Sequence, residues 1–199
     1  MNEKQVFECI HGFFQEEHVQ KAISTIGKCK ISGWEGWLQV EFANYLETKV
    51  YGEEKKNFDW YREYKIITKS PNYDANDEQN KYIIPDFWIS SDQASNAYYL
   101  IEFKRSNTGA IVSEMKVDIE KWLTHMGSYR DALECASESG QNYKNLGIFF
   151  VGVDTKPTDE VATIEGVSLN LYGESLKYRI GFLPVDTMVS PKRQLLSHP

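Results

Sequence analysis

Tyr98-Tyr99-Leu100-Ile101-Glu102-Phe103-Lys104, preceded by Ile83-Ile84-Pro85-Asp86, is the stretch from which the rest of the chain is read. Tyrosine and branched aliphatic residues favour a strand. Side chains alternate across a strand, so Glu102 and Lys104 share a face with Leu100, while Ile101 and Phe103 point the other way. A carboxylate and an ammonium thus interrupt a strand otherwise suited to burial. Burying two charges is costly unless they pair or meet a metal. Arg105 follows, so the strand emerges into a basic edge. Upstream, Asp86 falls in a strand expected over 82–89, joined through a polar turn at 90–96 to a hairpin partner over 97–104.

Working outward, residues 4–24 carry Val6, Phe7, Ile10, Phe13, Phe14, Ala22 and Ile23 at helical spacing, which predicts one amphipathic helix. A second helix is expected over 34–50, ended by Gly52, with Trp34, Trp37, Leu38, Phe42, Tyr45 and Leu46 for burial. The aromatic and β-branched run 57–69 reads as a strand, and 70–80, with one Pro and several Asn and Asp, as a loop. After the hairpin a long helix is expected over 113–137. The apolar run 146–153 suits a strand buried on both faces. Strands at 167–172 and 178–183 pair across Gly173-Glu174, and 190–199 is a loose tail. The fold class is α/β, a central mixed sheet flanked by helices. One domain spans 1–199, with its core at about 34–153, the helix 4–24 packed on it and the strand pair 167–183 completing it.

The 199 residues are 41% hydrophobic and 26% charged, enough to bury a core without disulfides or metals. The net charge of −7 argues against a protein that coats nucleic acid by electrostatics alone. It leaves open a metal-dependent enzyme whose carboxylates are ligands. Cys9, Cys29 and Cys135 are odd in number and far apart, so neither a zinc site nor a disulfide framework is expected. Met1-Asn2-Glu3-Lys4 opens no apolar leader, and no apolar run is long enough to span a bilayer. The expected compartment is the cytoplasm.

If Asp86 lies beside Glu102, two hard carboxylates converge. With a backbone carbonyl they can hold Mg²⁺, which keeps water in its shell. A nearby Lys can orient or deprotonate such a water, and the ion can stabilise charge developing on a phosphate. Each residue also has a plainer reading. Asp86 can be a turn residue after Pro85. Glu102 and Lys104 can be a solvated same-side pair, and Glu35 a first-turn acid favoured by the helix dipole. Tyr98 and Tyr99 can be strand filler rather than a base-stacking platform.

Pro-Asp, a gap, then Glu-x-Lys resembles the signature of the PD-(D/E)xK superfamily, which includes many restriction and repair nucleases. It stands here as Ile84-Pro85-Asp86 and Ile101-Glu102-Phe103-Lys104. An upstream helix acid resembles the family pattern in Glu35-Gly36-Trp37-Leu38-Gln39, followed by Phe42 and Leu46, with Glu41 a rival for the role. The chain departs from the family's Gln-x-x-x-Tyr element, offering His125-Met126-Gly127-Ser128-Tyr129. The resemblance covers about 34–153 in element order. It implies a restriction-endonuclease-like fold, metal binding by Asp86, Glu102 and the carbonyl of Phe103, and catalytic roles for Lys104 and Glu35. The implied cofactor is Mg²⁺, with Mn²⁺ able to substitute. The implied partners are nucleic acid, DNA before RNA, and a second copy of the chain in a homodimer, with no membrane. The alternative is a catalytically silent nucleic-acid- or protein-binding module on the same fold.

Overall fold

The structure, a computed structural model, describes residues 1–52, 59–64, 66–67, 82–91, 97–126, 134–136 and 142–185. Loop 70–80 and tail 190–199 lie outside them, as do 92–96 of the expected turn.

The expected helix 4–24 is two helices, α1 (Glu3–Gln15) and α2 (Glu17–Cys29), parted at Glu16, which is extended at φ −63°, ψ 125°. The apolar spacing explains the break. Val6, Ile10, Phe13 and Phe14 are buried, but the next helical positions are Glu17 and His18, and burial resumes only at Val19. Two helices let both stripes reach the core. Asn2 starts α1 with a capping box, its side chain accepting from the Gln5 amide and its own amide donating to the Gln5 side chain. The second expected helix is α3 (Glu35–Tyr45), continued by a π-helical turn over Leu46–Tyr51.

Among the described residues, the strand expected over 57–69 is β1 (Trp60–Arg62) and β2 (Ile66–Ile67), with Glu63 between them in the left-handed region at φ 52°. The strand expected over 82–89 divides too. β3 (Tyr82–Ile83) pairs with β2 in a separate two-stranded sheet, whereas β4 (Phe87–Ser91) pairs with β1 and with β5 (Ala97–Ser106) in the main one. Pro85 accounts for the break, since it has no N–H to give a ladder. Asp86 stands at the break rather than inside a strand.

Helix α4 (Ile111–Met126) follows β5. It is shorter than the expected 113–137: Glu134–Ala136 is strand β6, which pairs with the start of β7 (Asn142–Asp154). β7 runs parallel to β5, with Glu102 opposite Phe150 and Lys104 opposite Gly152. β9 (Val167–Tyr172) and β10 (Tyr178–Pro184) pair antiparallel as read. A strand the sequence reading did not name, β8 (Ala162–Ile164), joins β9 through Glu165-Gly166, both at positive φ. Positive φ at both central residues suits a tight hairpin. The main sheet runs β1-β4-β5-β7-β10-β9-β8, mixed in direction, with β6 beside β7.

Strand alternation divides the core in two. Tyr99, Ile101, Phe103, Phe149, Val151 and Val153 pack with α1, α2 and α3. Tyr98, Leu100, Ile148 and Phe150 pack with Ile111, Met115, Ile119 and Trp122 of α4. Gly152 brings α4 close to the sheet: a Cβ there would lie 2.2 Å from Met115 Sδ and 2.8 Å from Ile111 Cγ1. The helix therefore seats beside the strand position opposite Lys104.

Candidate active site

Asp86 is fixed by three elements. Its carbonyl accepts from the Glu63 amide at 3.0 Å. Its Oδ2 accepts from the Phe103 amide at 2.6 Å, and its Oδ1 from Gln39 Nε2 of α3 at 2.6 Å. Gln39 Oε1 accepts in turn from Arg62 Nε of β1 at 3.2 Å. The Pro85 break thus frees Asp86 to reach across to β5, ahead of its antiparallel pairing with β4, which begins at Phe87–Ile101.

Glu102 lies on the α4 side of β5. Its Oε2 is fully shielded and has no hydrogen-bond partner among the described residues. Burial first, then the charges of Asp86 and Asp118, push its carboxyl up to about 8, against opposition from Lys121 and Lys104. Burial also pushes Asp86 up to about 6. The Phe103 amide pulls it down, and Glu35 and Asp118 push it further up. The two carboxylates therefore compete for neutrality, as acids do when they share a site.

Lys104 Nζ lies 2.8 Å from Asp118 Oδ2 of α4 in an ion pair, with side chains 26% and 13% exposed. Burial pulls the ammonium's pKa down, but Asp118, followed by Glu35 and Glu102, more than offsets it and the net shift is upward. Lys104 is thus held as a cation. The sequence reading left orientation or deprotonation of water open to this side chain; here it is a donor at neutral pH.

Glu35, in the first turn of α3, is close enough for its charge to act on both Asp86 and Lys104. Glu41 points elsewhere, its Oε2 3.5 Å from His18 Nε2 of α2. Of the two helix acids, Glu35 alone is among the charges acting on this cluster. His125 belongs to α4, but its side chain and all of Tyr129 lie outside the described residues. Sequence reading missed Asp118, which was legible as a carboxylate beside the apolar stripe Met115, Ile119 and Trp122. It also gave Gln39 no role of its own, although an amide buried between Leu38 and Phe42 calls for a partner.

A hard cation suits part of this set. Asp86 and Glu102 bring oxygen donors, and the shielded Oε2 of Glu102 has no hydrogen-bond donor among the described residues. Among the described residues no three His, Cys, Asp or Glu side chains form a metal cage. A cation would therefore rest on two carboxylates, a carbonyl and water. No described helix is long and apolar enough to cross a membrane. Compared with models of known protein families, with curated proteins and with solved structures, the chain matches none.

Proposed function

We propose that this chain is a Mg²⁺-dependent nuclease of restriction-endonuclease-like fold, hydrolysing phosphodiester bonds in DNA. The observation that carries the reading is the burial of Glu102 beside Asp86, with an unpartnered Oε2 and a protonated Lys104 on the same strand face. A shielded carboxylate oxygen without a donor calls for a proton or a cation. Asp86 and Glu102 would hold the ion, with the Phe103 carbonyl as the third protein ligand that the family resemblance implies. Bound there, Mg²⁺ or Mn²⁺ supplies positive charge to a phosphate and polarises water.

The chain's own groups do the rest. Gln39 and the Phe103 amide fix the Asp86 carboxylate, and Arg62 fixes Gln39. Asp118 holds Lys104 charged, so its ammonium donates to negative charge developing on the phosphate. Glu35 adds a third acid at the edge of the cluster. The test is cleavage of plasmid and single-stranded DNA with Mg²⁺ or Mn²⁺ by the native chain, Lys104→Ala and Asp86→Ala. Cleavage confined to the native chain is expected; equal cleavage by all three sinks the reading.

One observation favours the second reading, a silent binding module. Both Asp86 oxygens already accept protein N–H groups, and Lys104 is paired with Asp118. Titration of the native chain with Mn²⁺ separates the two: metal binding with no cleavage of any DNA or RNA form supports the silent module.

A further inference from the structure

Arg62 ends β1, the outermost strand on one side of the main sheet, and stands opposite Phe87, the residue after Asp86. The Asp86 carbonyl accepts from the Glu63 amide, which ties the end of β1 to the Asp86 break. The side chains are joined as well. Arg62 Nε donates to Gln39 Oε1 at 3.2 Å, and Gln39 Nε2 donates to Asp86 Oδ1 at 2.6 Å. A side-chain amide has one donor end and one acceptor end, and a guanidinium only donates. Arg62 therefore holds the oxygen of Gln39 toward itself and turns the NH₂ to the carboxylate. The flipped amide would set oxygen against oxygen at Asp86.

A guanidinium carries five N–H groups in a planar fork, more than this link uses. Beyond Nε, the Nη2 group meets Glu63 Oε1 at 2.7 Å. That contact lies at the surface, with side chains 38% and 57% exposed. Exposed ion pairs contribute little, so another anion can replace Glu63 there. A phosphodiester offers the fork two oxygens at once, the geometry that suits arginine best. The neighbourhood calls for such a cation. The charges of Glu35, Asp86, Glu102 and Asp118 act on one another here, and Lys104 is already paired with Asp118. A polyanionic strand brought up to these acids needs positive charge on its own side.

The geometry points to Arg62 as the contact for a DNA phosphate next to the cleaved one, with Glu63 occupying its fork until the strand displaces it. Gln39 is then a positioning residue that ties the same guanidinium to Asp86. Two hydrogen bonds and the amide between them keep the guanidinium within about 8 Å of the Asp86 carboxylate. That is on the order of two nucleotide steps at ~3.4 Å each, so the phosphate held is a neighbour of the one at the metal site. The assignment rests on the nuclease reading and deepens it by naming where the strand is held, along the β1 edge beside α3.

The experiment measures the affinity of fluorescein-labelled single-stranded and duplex DNA by anisotropy, in metal-free buffer over a range of salt, and Mg²⁺-dependent cleavage of the same DNA. Arg62→Ala should bind about tenfold more weakly and lose about one from the slope of log affinity against log salt. Arg62→Lys keeps the charge and so the slope, but has no Nε to set Gln39, so its cleavage should fall in kcat rather than KM. Glu63→Gln should move the other way and bind roughly twofold tighter or more, since the competing carboxylate is gone. Glu165→Gln, in the turn at the opposite end of the sheet, removes the same charge away from the fork and should stay within about twofold of native. A native salt slope in Arg62→Ala, no gain in Glu63→Gln, an equal gain in Glu165→Gln, or no binding of either DNA form overturns the assignment. Cleavage that depends on Asp86 beside a native slope in Arg62→Ala removes the strand contact and leaves the nuclease reading. The expected binding pattern beside cleavage insensitive to Asp86→Ala does the reverse.

Discussion

β5 and β7 lie side by side, parallel, in the middle of one sheet, yet they are used in opposite ways. Over 146–153, β7 is apolar residues and glycine, buried on both faces, with Phe149 packing against one set of helices and Phe150 against α4. β5 begins alike and then carries Glu102 and Lys104 opposite Phe150 and Gly152. Neighbouring positions with the same backbone thus hold an aromatic ring in one strand and a shielded carboxylate in the other. Apolar burial on β7 contributes stability in proportion to area. Burial of Glu102 opposes stability, a cost that the proposed metal site would offset.

The sharpest way to break this contrast is to truncate one side chain of each strand on the α4 face. Phe150→Ala should destabilise the protein by about 3–5 kcal/mol in denaturant unfolding, as for a large buried aromatic. Lys104→Ala should lower metal-dependent cleavage by about 10²–10³-fold, the scale for losing one charge-stabilising donor, with little change in unfolding midpoint. If Lys104→Ala unfolds the protein as Phe150→Ala does, the division of labour between the strands is wrong.

Gly152→Ala couples the two. Its methyl would press on Met115 and Ile111, so a loss of about 1–3 kcal/mol is expected from overpacking, with reduced cleavage as α4 carries Asp118 away from Lys104. Cleavage unchanged beside a measured loss of stability would show that α4 does not position the ammonium.

Glu102→Gln should act in the opposite sense on stability. The folded carboxyl sits at about 8 against an ordinary 4.5, so between these values the native state binds more protons than the unfolded state. The contribution of this group to the stability of the metal-free protein is therefore fully present below about 4.5 and is lost as pH rises through about 8. The glutamine variant should flatten that slope and raise Tm at pH 8 on the order of 5 °C. The native chain should also bind Mn²⁺ more tightly as pH rises over the same window, since ligands must be deprotonated. The smallest effect is expected from Asp118→Asn, about a tenfold loss of cleavage, or roughly 1.4 kcal/mol. Removing its charge lowers the Lys104 pKa, so the alkaline limb of the rate profile should move to lower pH.

Much of the architecture was legible because it rests on short-range periodicity. The two-sided burial of 146–153 and the β9–β10 pair follow from runs of side chains and from Gly173. The errors fall where a local pattern was continued through a change of partner. The helix 4–24 ignored the polar pair Glu17-His18, and the strand 82–89 ran through Pro85. Residues 134–136 were read into a helix, although β7 offered them an edge to pair with.

For the candidate site, the chain order alone determined that Glu102 and Lys104 share a face, because alternation is a property of a single strand. It also determined that Asp86 follows a residue unable to continue a ladder. Only the tertiary structure decided what those groups meet. The Asp86 carboxylate turns to the Phe103 amide and to Gln39, and Asp118, on the helix that follows β5, becomes the ion-pair partner of Lys104. It also separated Glu35, whose charge reaches the cluster, from Glu41, which pairs with His18. The physical reason is that electrostatic partners are chosen by distance in space. That distance was set by how closely α4 seats on Gly152 and by which turn of α3 faces the sheet.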